Sequence, residues 1–238
     1  LKTKQLALKK FQNLQKFFGQ VQINGTVNYT STLNEEKINN YFSKKRERIK
    51  IKKSVELLDK IYLNKVKTSS TLKFNNEESI FTVHKKLHIK KNDLIENLNY
   101  SWAGGSDIYY SNSKIKTNLV QNCRTLGDCF IIRSDFNKWT VTQETKIIAS
   151  YLCYKATKKG TKTVAWFTPK VPVNFGPRGF SGLPGLILEL KFNNIIFRAT
   201  KLVLNPKEKI VIKKPNKGKQ VSQKEFEKMS KEAWSKIK

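Results

Sequence analysis

The segment Leu-Ile-Leu-Glu-Leu-Lys-Phe-Asn-Asn-Ile-Ile-Phe-Arg-Ala-Thr-Lys-Leu-Val-Leu, residues 186–204, decides the fold class. Two runs rich in Ile, Leu, Val and Phe, 186–192 and 195–204, are separated only by Asn193 and Asn194. Because asparagine tolerates a positive φ, this two-residue loop predicts a type I′ β-hairpin. The segment therefore predicts two neighbouring antiparallel strands.

The same organisation extends along the rest of the chain. Alternation of apolar and polar residues predicts further strands over 21–30, 72–89, 130–133, 138–142, 146–157 and 161–168. Lys159 and Gly160 suit a turn between the last two of these. Because no long helix separates the later strands, the pattern predicts a mainly β fold built as an antiparallel meander.

Three regions are distinguished along the chain. Residues 1–19 are predicted to be an arm with a short amphipathic helix, which either packs on the domain or docks on a membrane surface or partner. Residues 20–205 are predicted to form the β domain, with a charged insertion at about 34–67. Residues 206–238 are predicted to be a basic segment followed by a helix, which opens with Ser222 and Glu225 as a capping box.

Charge is the most unusual compositional feature. The 238 residues include 47 Lys or Arg and 18 Asp or Glu, a net charge of +29. The excess is spread along the chain, and only six of the basic residues are arginine, the residue that base-specific readers use most. Nucleic-acid or other polyanion binding is therefore the weaker hypothesis. No run approaches the roughly 18 apolar residues of a membrane-spanning helix.

Residues for catalysis or metal binding are scarce. His84 and His88 would stand about 13 Å apart along a strand, with no acidic or cysteine ligand nearby in sequence. Ser181 lies in Gly179-Phe180-Ser181-Gly182-Leu183, which lacks the second glycine of a nucleophile elbow. We therefore predict no catalytic residue, no metal and no cofactor.

The most distinctive segment is the glycine- and proline-rich stretch over residues 169–185. Glycines recur at 176, 179, 182 and 185, and prolines stand at 172, 177 and 184. Proline fixes φ, whereas glycine permits a positive φ or a close backbone approach, and Pro184-Gly185 suits a type II turn. Such a stiff apolar loop is either a plug at one end of the sheet or the rim of an apolar binding site.

Gly182-Leu183-Pro184-Gly185-Leu186-Ile187 resembles the signature of the GLPGLI family, exported proteins of Bacteroidota without an established activity. The resemblance covers about residues 20–230 and includes 74–81, 139–146, 151–157, 165–169, 175–177 and 215–219. The sequence departs from the family pattern at Ala149, where glycine is common.

The resemblance implies export by a signal peptide that is removed before Leu1, and a location in the periplasm or at the outer membrane. Its strand order is similar to the open half-barrel of periplasmic lipoprotein carriers. Export makes disulfides admissible, so Cys123 and Cys129 are interpreted as either a bonded pair or two free thiols. Cys153 is interpreted as a buried small apolar residue.

We therefore expect a non-enzymatic binding or accessory protein of the envelope. One hypothesis is a cavity for a lipid, an acyl chain or a hydrophobic peptide. The alternative is a subunit of an outer-membrane transport or secretion assembly with no ligand of its own, and peripheral membrane contact fits either. The predicted ligand- or partner-binding residues are Trp166, Phe167, Phe175, Gly176, Pro177, Phe180, Gly182, Leu183, Pro184, Gly185 and Leu186.

Overall fold

The computed structural model of the protein describes residues 22–40, 67–85 and 94–235, with five isolated positions between 52 and 60. The predicted N-terminal arm and most of the predicted insertion at 34–67 lie outside the described residues. The strands are β1 (Gly25–Leu33), β2 (Thr68–Phe74), β3 (Glu78–Val83), β4 (Ile108–Asn112), β5 (Thr117–Leu126), β6 (Asp128–Asp135), β7 (Trp139–Ile148), β8 (Tyr151–Lys158), β9 (Val164–Thr168), β10 (Leu186–Phe192), β11 (Ile195–Leu204) and β12 (Lys219–Ser222). The helices are α1 (Glu35–Asn40), α2 (Leu94–Ala103) and α3 (Gln223–Ser235), and Pro177–Gly179 forms one 3₁₀ turn.

All these strands belong to one open, mixed sheet, which confirms the predicted mainly β fold. Their order is β12-β6-β5-β4-β3-β2-β1-β11-β10-β9-β8-β7. Neighbours are antiparallel except that β12 runs parallel to β6, a departure from the predicted meander. The first six strands form one consecutive series and β7 to β11 form another, and the pairing of β1 with β11 joins them.

The sheet is strongly curled. Strands β6 and β7 lie toward opposite ends of the order, yet only residues 136–138 connect Asp135 to Trp139. A link of this length spans at most about 14 Å. The two ends of the sheet must therefore approach each other, which gives the half-barrel-like form that the resemblance implied.

The hairpin that decided the fold class has the predicted bounds, since β10 is Leu186–Phe192 and β11 is Ile195–Leu204. Its turn type differs from the prediction. Only Asn193 of the two turn residues has a positive φ, 51°, whereas a type I′ turn needs two. One asparagine in the left-handed region is enough to close this hairpin.

Two other predicted strands are each divided by a turn in the structure. The predicted strand over 72–89 is divided into β2 and β3, because the Asn75 side chain accepts hydrogen bonds from the amides of Glu77 and Glu78 and so forms a turn. Residues 86–89 of this prediction lie outside the described residues. The predicted strand over 146–157 is divided between β7 and β8. Its turn residues, Ala149 and Ser150, have φ values of 48° and 67°.

The left-handed conformation of Ala149 explains why glycine suits this position, and it predicts a stabilising substitution. A left-handed residue with a Cβ atom costs roughly 1–2 kcal/mol, and the greater freedom of glycine in the unfolded chain offsets part of that gain. We expect Ala149→Gly to raise the free energy of unfolding by about 0.5–1 kcal/mol in urea denaturation. The matched control is Ala233→Gly within α3, which should lower it by about 1 kcal/mol. A loss of stability in both variants would contradict the turn geometry.

The C-terminal prediction is confirmed in its main point. The Ser222 side chain accepts a hydrogen bond from the Glu225 amide (3.2 Å), and the Glu225 carboxylate accepts one from the Ser222 amide (2.7 Å). This second bond holds the pKa of Glu225 below its ordinary value. The capping box therefore opens α3 as expected, while β12 occupies the end of the segment predicted as a loop or edge.

An aromatic cluster forms the centre of the core. Phe81 packs edge-on against Tyr29, Tyr109 and Phe197, with ring centroids 5.9–6.3 Å apart. Burial raises the pKa of Tyr29 far above its ordinary value, and its hydroxyl donates to the Ile187 carbonyl at 2.6 Å. These contacts link strands from both series across the inside of the curl.

Candidate functional site

The glycine- and proline-rich segment lies inside the curled sheet. Its 3₁₀ turn, Pro177–Gly179, contacts β3, β4 and β5, whereas Gly176 lies against Ile187 of β10. Strands β4 and β10 are five positions apart in the sheet order. One short segment reaches both because the sheet wraps around it. Of the two alternatives from the sequence, the segment therefore has the geometry of a plug.

Gly185 allows the backbone at the end of this segment to pass very close to β9. A Cβ atom on Gly185 would lie 2.2 Å from the Thr168 carbonyl oxygen, so only glycine fits. Its φ is not positive, and the predicted type II turn at Pro184-Gly185 is therefore wrong. Close backbone approach, the other property of glycine, is what this position requires. It places the start of β10 directly beside the end of β9.

Most predicted binding residues are buried. Phe167, Phe175 and Leu186 are 0% exposed and Leu183 is 1% exposed. Only Gly182 is exposed in this set. The remaining members are half-buried or buried: Trp166, Gly176, Pro177, Phe180, Pro184 and Gly185. As a set they pack against the protein's own chain, and their role in binding a ligand or partner stays a prediction.

Polar contacts at Ser181 attach the plug to the sheet. The Ser181 side chain donates to Asn118 Oδ1 (3.0 Å), and the Ser181 carbonyl accepts a hydrogen bond from Trp139 Nε1 (2.8 Å). Asn137 accepts one from the Ser181 amide (3.0 Å). Ser181 is 0% exposed, consistent with the structural role expected for it. These bonds attach the plug to β5, to β7 and to the link before β7.

Arg178 is a residue of the plug that the sequence reasoning missed. Its guanidinium lies 5.4 Å from the Tyr109 ring centroid and 5.3 Å from that of Phe192, and it donates to the Trp102 carbonyl at 2.5 Å. Burial raises the pKa of Tyr109 to about 12, so that ring stays neutral. Arg178 therefore joins the two halves of the sheet through its cation–π contacts.

A charged cluster on the β7–β11 half was also missed. Glu189 is 7% exposed, and its two carboxylate oxygens accept hydrogen bonds from Lys146 Nζ (2.6 Å) and Arg198 Nε (2.8 Å). Lys146 also lies 4.3 Å from the Trp166 ring centroid. Trp166 therefore belongs to this cluster and not to the plug. The signal in the sequence was a carboxylate within the apolar run of β10.

The cysteines occupy two different environments. Cys123 and Cys129 form a disulfide at the tip of the β5–β6 hairpin, one of the two alternatives that the sequence left open. Cys153 is 0% exposed, and burial raises the pKa of its thiol to about 11, so it is protonated at neutral pH. Cys153 therefore has the inert, buried character that was predicted for it.

Within residues 22–40, 67–85 and 94–235, no group of three or more His, Cys, Asp or Glu side chains is placed to hold a metal ion. His84 is exposed, and His88 lies outside the described residues. No helix in the described part of the chain is long and apolar enough to cross a membrane.

A groove of about 570 Å³ lies between β6, β12 and the start of α3. It is lined by two cations, Arg133 and Lys224, and by two carboxylates, Asp135 and Glu225, so its formal charges balance.

Comparison with known proteins gives a match to a family without an assigned activity. Residues 156–189 match the profile of a family described as "Protein of unknown function (Porph_ging)". No curated protein matches this chain at a significant level.

A solved structure shares the fold. The structure of PNGF-II in space group P21 superposes with a TM-score of 0.50 at 14% identity, over 88% of this chain and 33% of that one. The structure of PNGF-II in space group C2 gives a TM-score of 0.49 at 12% identity, with the same coverage. This chain therefore spans about a third of the length of that protein, and the likeness concerns the fold alone.

Proposed function

We propose that this protein is a non-enzymatic, exported protein of the cell envelope that acts by binding another envelope protein at the free edge of β7. One observation carries the proposal. The inside of the curled sheet is filled by the protein's own chain, whereas Ile147 and Leu152 are exposed side by side at the β7 edge. This favours an accessory interaction protein over a carrier of an apolar ligand.

The edge of β7 has the features of a site for an added strand. It is the last strand in the sheet order, so its outward N–H and C=O groups meet no strand in the described part of the chain. A bulge between Val141 and Thr145 interrupts its register, which leaves Thr145–Ile148 as the regular stretch. A partner segment that pairs with this stretch adds a strand to the sheet.

Ile147 and Leu152 supply the side-chain contact for that segment. They are 73% and 46% exposed and lie directly opposite each other across β7 and β8, hence on one face of the pair. An apolar side chain of the partner segment that packs on Ile147 and Leu152 removes both from water. Backbone hydrogen bonds to β7 fix the direction of the partner segment.

Two observations support the envelope location. The signature Gly182–Ile187 lies within the matched segment 156–189, and we propose membership of the GLPGLI family on this basis together with the wider resemblance. The Cys123–Cys129 disulfide closes an exposed hairpin tip, and such bonds persist in oxidising compartments such as the periplasm.

Site-specific photo-cross-linking in native envelopes tests the interaction. A benzophenone amino acid at position 147 should give a discrete cross-linked partner, and Leu152→Lys in the same chain should abolish it. The matched control places the same amino acid at Lys162, an exposed loop position, and should give no such product. Equal products at both positions, or none at position 147, would reject the β7 edge as the binding site.

Solvent extraction tests the carrier alternative separately. Gently purified protein should yield no stoichiometric amphiphile, because the plug occupies the space that a ligand would need. Stoichiometric recovery of a lipid, lost after Phe175→Trp overfills the interior, would overturn the proposed absence of an internal ligand.

A further inference from the structure

Helix α3 has one face packed on the sheet and an opposite face that carries lysines. Phe226 is buried with its ring 5.6 Å from that of Phe130, and Met229 packs with it. Lys224, Lys228 and Lys231 follow one another at i, i+4 and i+7, so they share one helix face, and all three are exposed. We call this row of three residues the lysine stripe.

An exposed tryptophan ends the lysine stripe. Trp234 lies three residues after Lys231 and is 64% exposed, whereas Trp102, Trp139 and Trp166 are half-buried. Tryptophan favours the boundary between water and lipid, where its ring meets apolar material and its N–H stays hydrated. In helices that lie on a membrane surface, lysines line the polar face and tryptophan belongs to the apolar one. The apolar face of α3 packs on the sheet, so Trp234 is the large apolar side chain that the described part of this helix leaves exposed.

Helix α3 carries three glutamates as well as three lysines, so its charges sum to zero over Gln223–Ser235, and the surplus of positive charge at this surface comes from the stretch before the helix. Glu225 is engaged by Ser222, and Glu227 accepts a hydrogen bond from Gln223. Glu232 lies 3.9 Å from Lys228, at the limit of an ion pair. Among the described residues, no ion pair involves Lys224 or Lys231. The stretch before the helix adds further exposed cations, namely Lys213, Lys214, Lys217 and Lys219.

We propose that the lysine stripe and Trp234 form a docking surface for an anionic phospholipid membrane, with α3 lying along the plane of the headgroups. The lysines face the lipid phosphates, and Trp234 enters the interfacial layer. This helix face is separate from the β7 edge. The inference goes beyond the proposed function, and neither depends on the other.

Vesicle binding tests this surface with the full chain. The probe is vesicles of phosphatidylglycerol and phosphatidylcholine, compared with phosphatidylcholine alone. Each lysine at an anionic surface contributes roughly five-fold in affinity. The triple variant Lys224→Gln, Lys228→Gln and Lys231→Gln should therefore bind the anionic vesicles roughly a hundred-fold more weakly. The matched control, Lys114→Gln, Lys159→Gln and Lys162→Gln, removes the same charge from exposed positions elsewhere and should lose less than about five-fold.

The emission wavelength of Trp234 gives a second measurement, one that does not depend on the net charge of the protein. Trp234 emission, obtained by subtracting the spectrum of Trp234→Phe, should shift to shorter wavelength on anionic vesicles only. Equal loss of binding in both triple variants, or an unshifted Trp234, would overturn the proposal. Tighter binding to duplex DNA than to anionic vesicles at the same salt would instead assign the lysines to a polyanion. Variants at Ile147 and Leu152 should bind vesicles normally, which separates this result from that of the proposed function.

Discussion

Replacing Gly185 with alanine should destabilise the protein by more than about 3 kcal/mol. The added Cβ atom would lie 2.2 Å from the Thr168 oxygen and 2.6 Å from its carbonyl carbon, and both are backbone atoms that no side-chain rotation can move. The substitution therefore has to separate β9 from the start of β10, or shift the plug that precedes it. Urea denaturation followed by tryptophan fluorescence measures the change in the free energy of unfolding.

The control for this prediction is Gly160→Ala. Gly160 has a φ of 77° and nothing within 4 Å of the added atom, so the substitution costs only the left-handed strain of about 1–2 kcal/mol. If Gly185→Ala lowers the free energy of unfolding no more than Gly160→Ala does, the close backbone approach is not the reason that glycine is needed at position 185. The order of the two effects therefore separates the close approach of the backbone from ordinary turn strain.

Replacing Glu189 with glutamine should lower the free energy of unfolding by about 2–3 kcal/mol. The side chains are the same size, so no cavity forms. The substitution removes the charge that balances Lys146 and Arg198, and it places an amide N–H₂ against one of these donors. Because Lys146 and Arg198 side chains are 34% and 63% exposed, water recovers part of the loss. The measurement is again urea denaturation at neutral pH.

Glu144→Gln is the matched control, since it breaks a similar carboxylate–lysine pair on the surface. Glu144 accepts from Lys155 at 2.8 Å but its side chain is 59% exposed, and surface pairs contribute less than about 1 kcal/mol. The effect of Glu189→Gln should also persist in high salt, because buried pairs are poorly screened. An equal loss in the free energy of unfolding for the two variants would show that the burial of Glu189 does not strengthen its ion pairs.

Local sequence signals predicted the elements that depend on neighbouring residues. The Asn193-Asn194 hairpin has its predicted strand bounds, and Ser222 with Glu225 caps α3 as expected. Both features are formed by residues within a few positions of one another, so their chemistry is visible in a short window. The sequence also showed that Ala149 stands where the resembling family commonly has glycine, but it did not show the left-handed conformation of this residue.

Strands β4 and β5 and helix α2 were not predicted, because their inward positions are partly polar. Asn118 and Asn122 are 4% and 5% exposed, and they interrupt the apolar alternation by which a strand is recognised. Asn118 donates to the Asp135 carbonyl, and Asn122 donates to Asp107. Only partners far along the chain satisfy these amides, so a local pattern gives no reason to bury them.

The sequence by itself determined a β-rich protein with short turns, a capped C-terminal helix and a stiff glycine- and proline-rich segment. Only the tertiary structure decided that this segment is a plug, because apolar residues look the same in sequence whether they line a cavity or fill one. That outcome depends on the pairing of β1 with β11 and on the three-residue link from β6 to β7, which together close the sheet around residues 169–185. Alternation states which face of a strand is buried, but long-range pairing alone determines what covers that face.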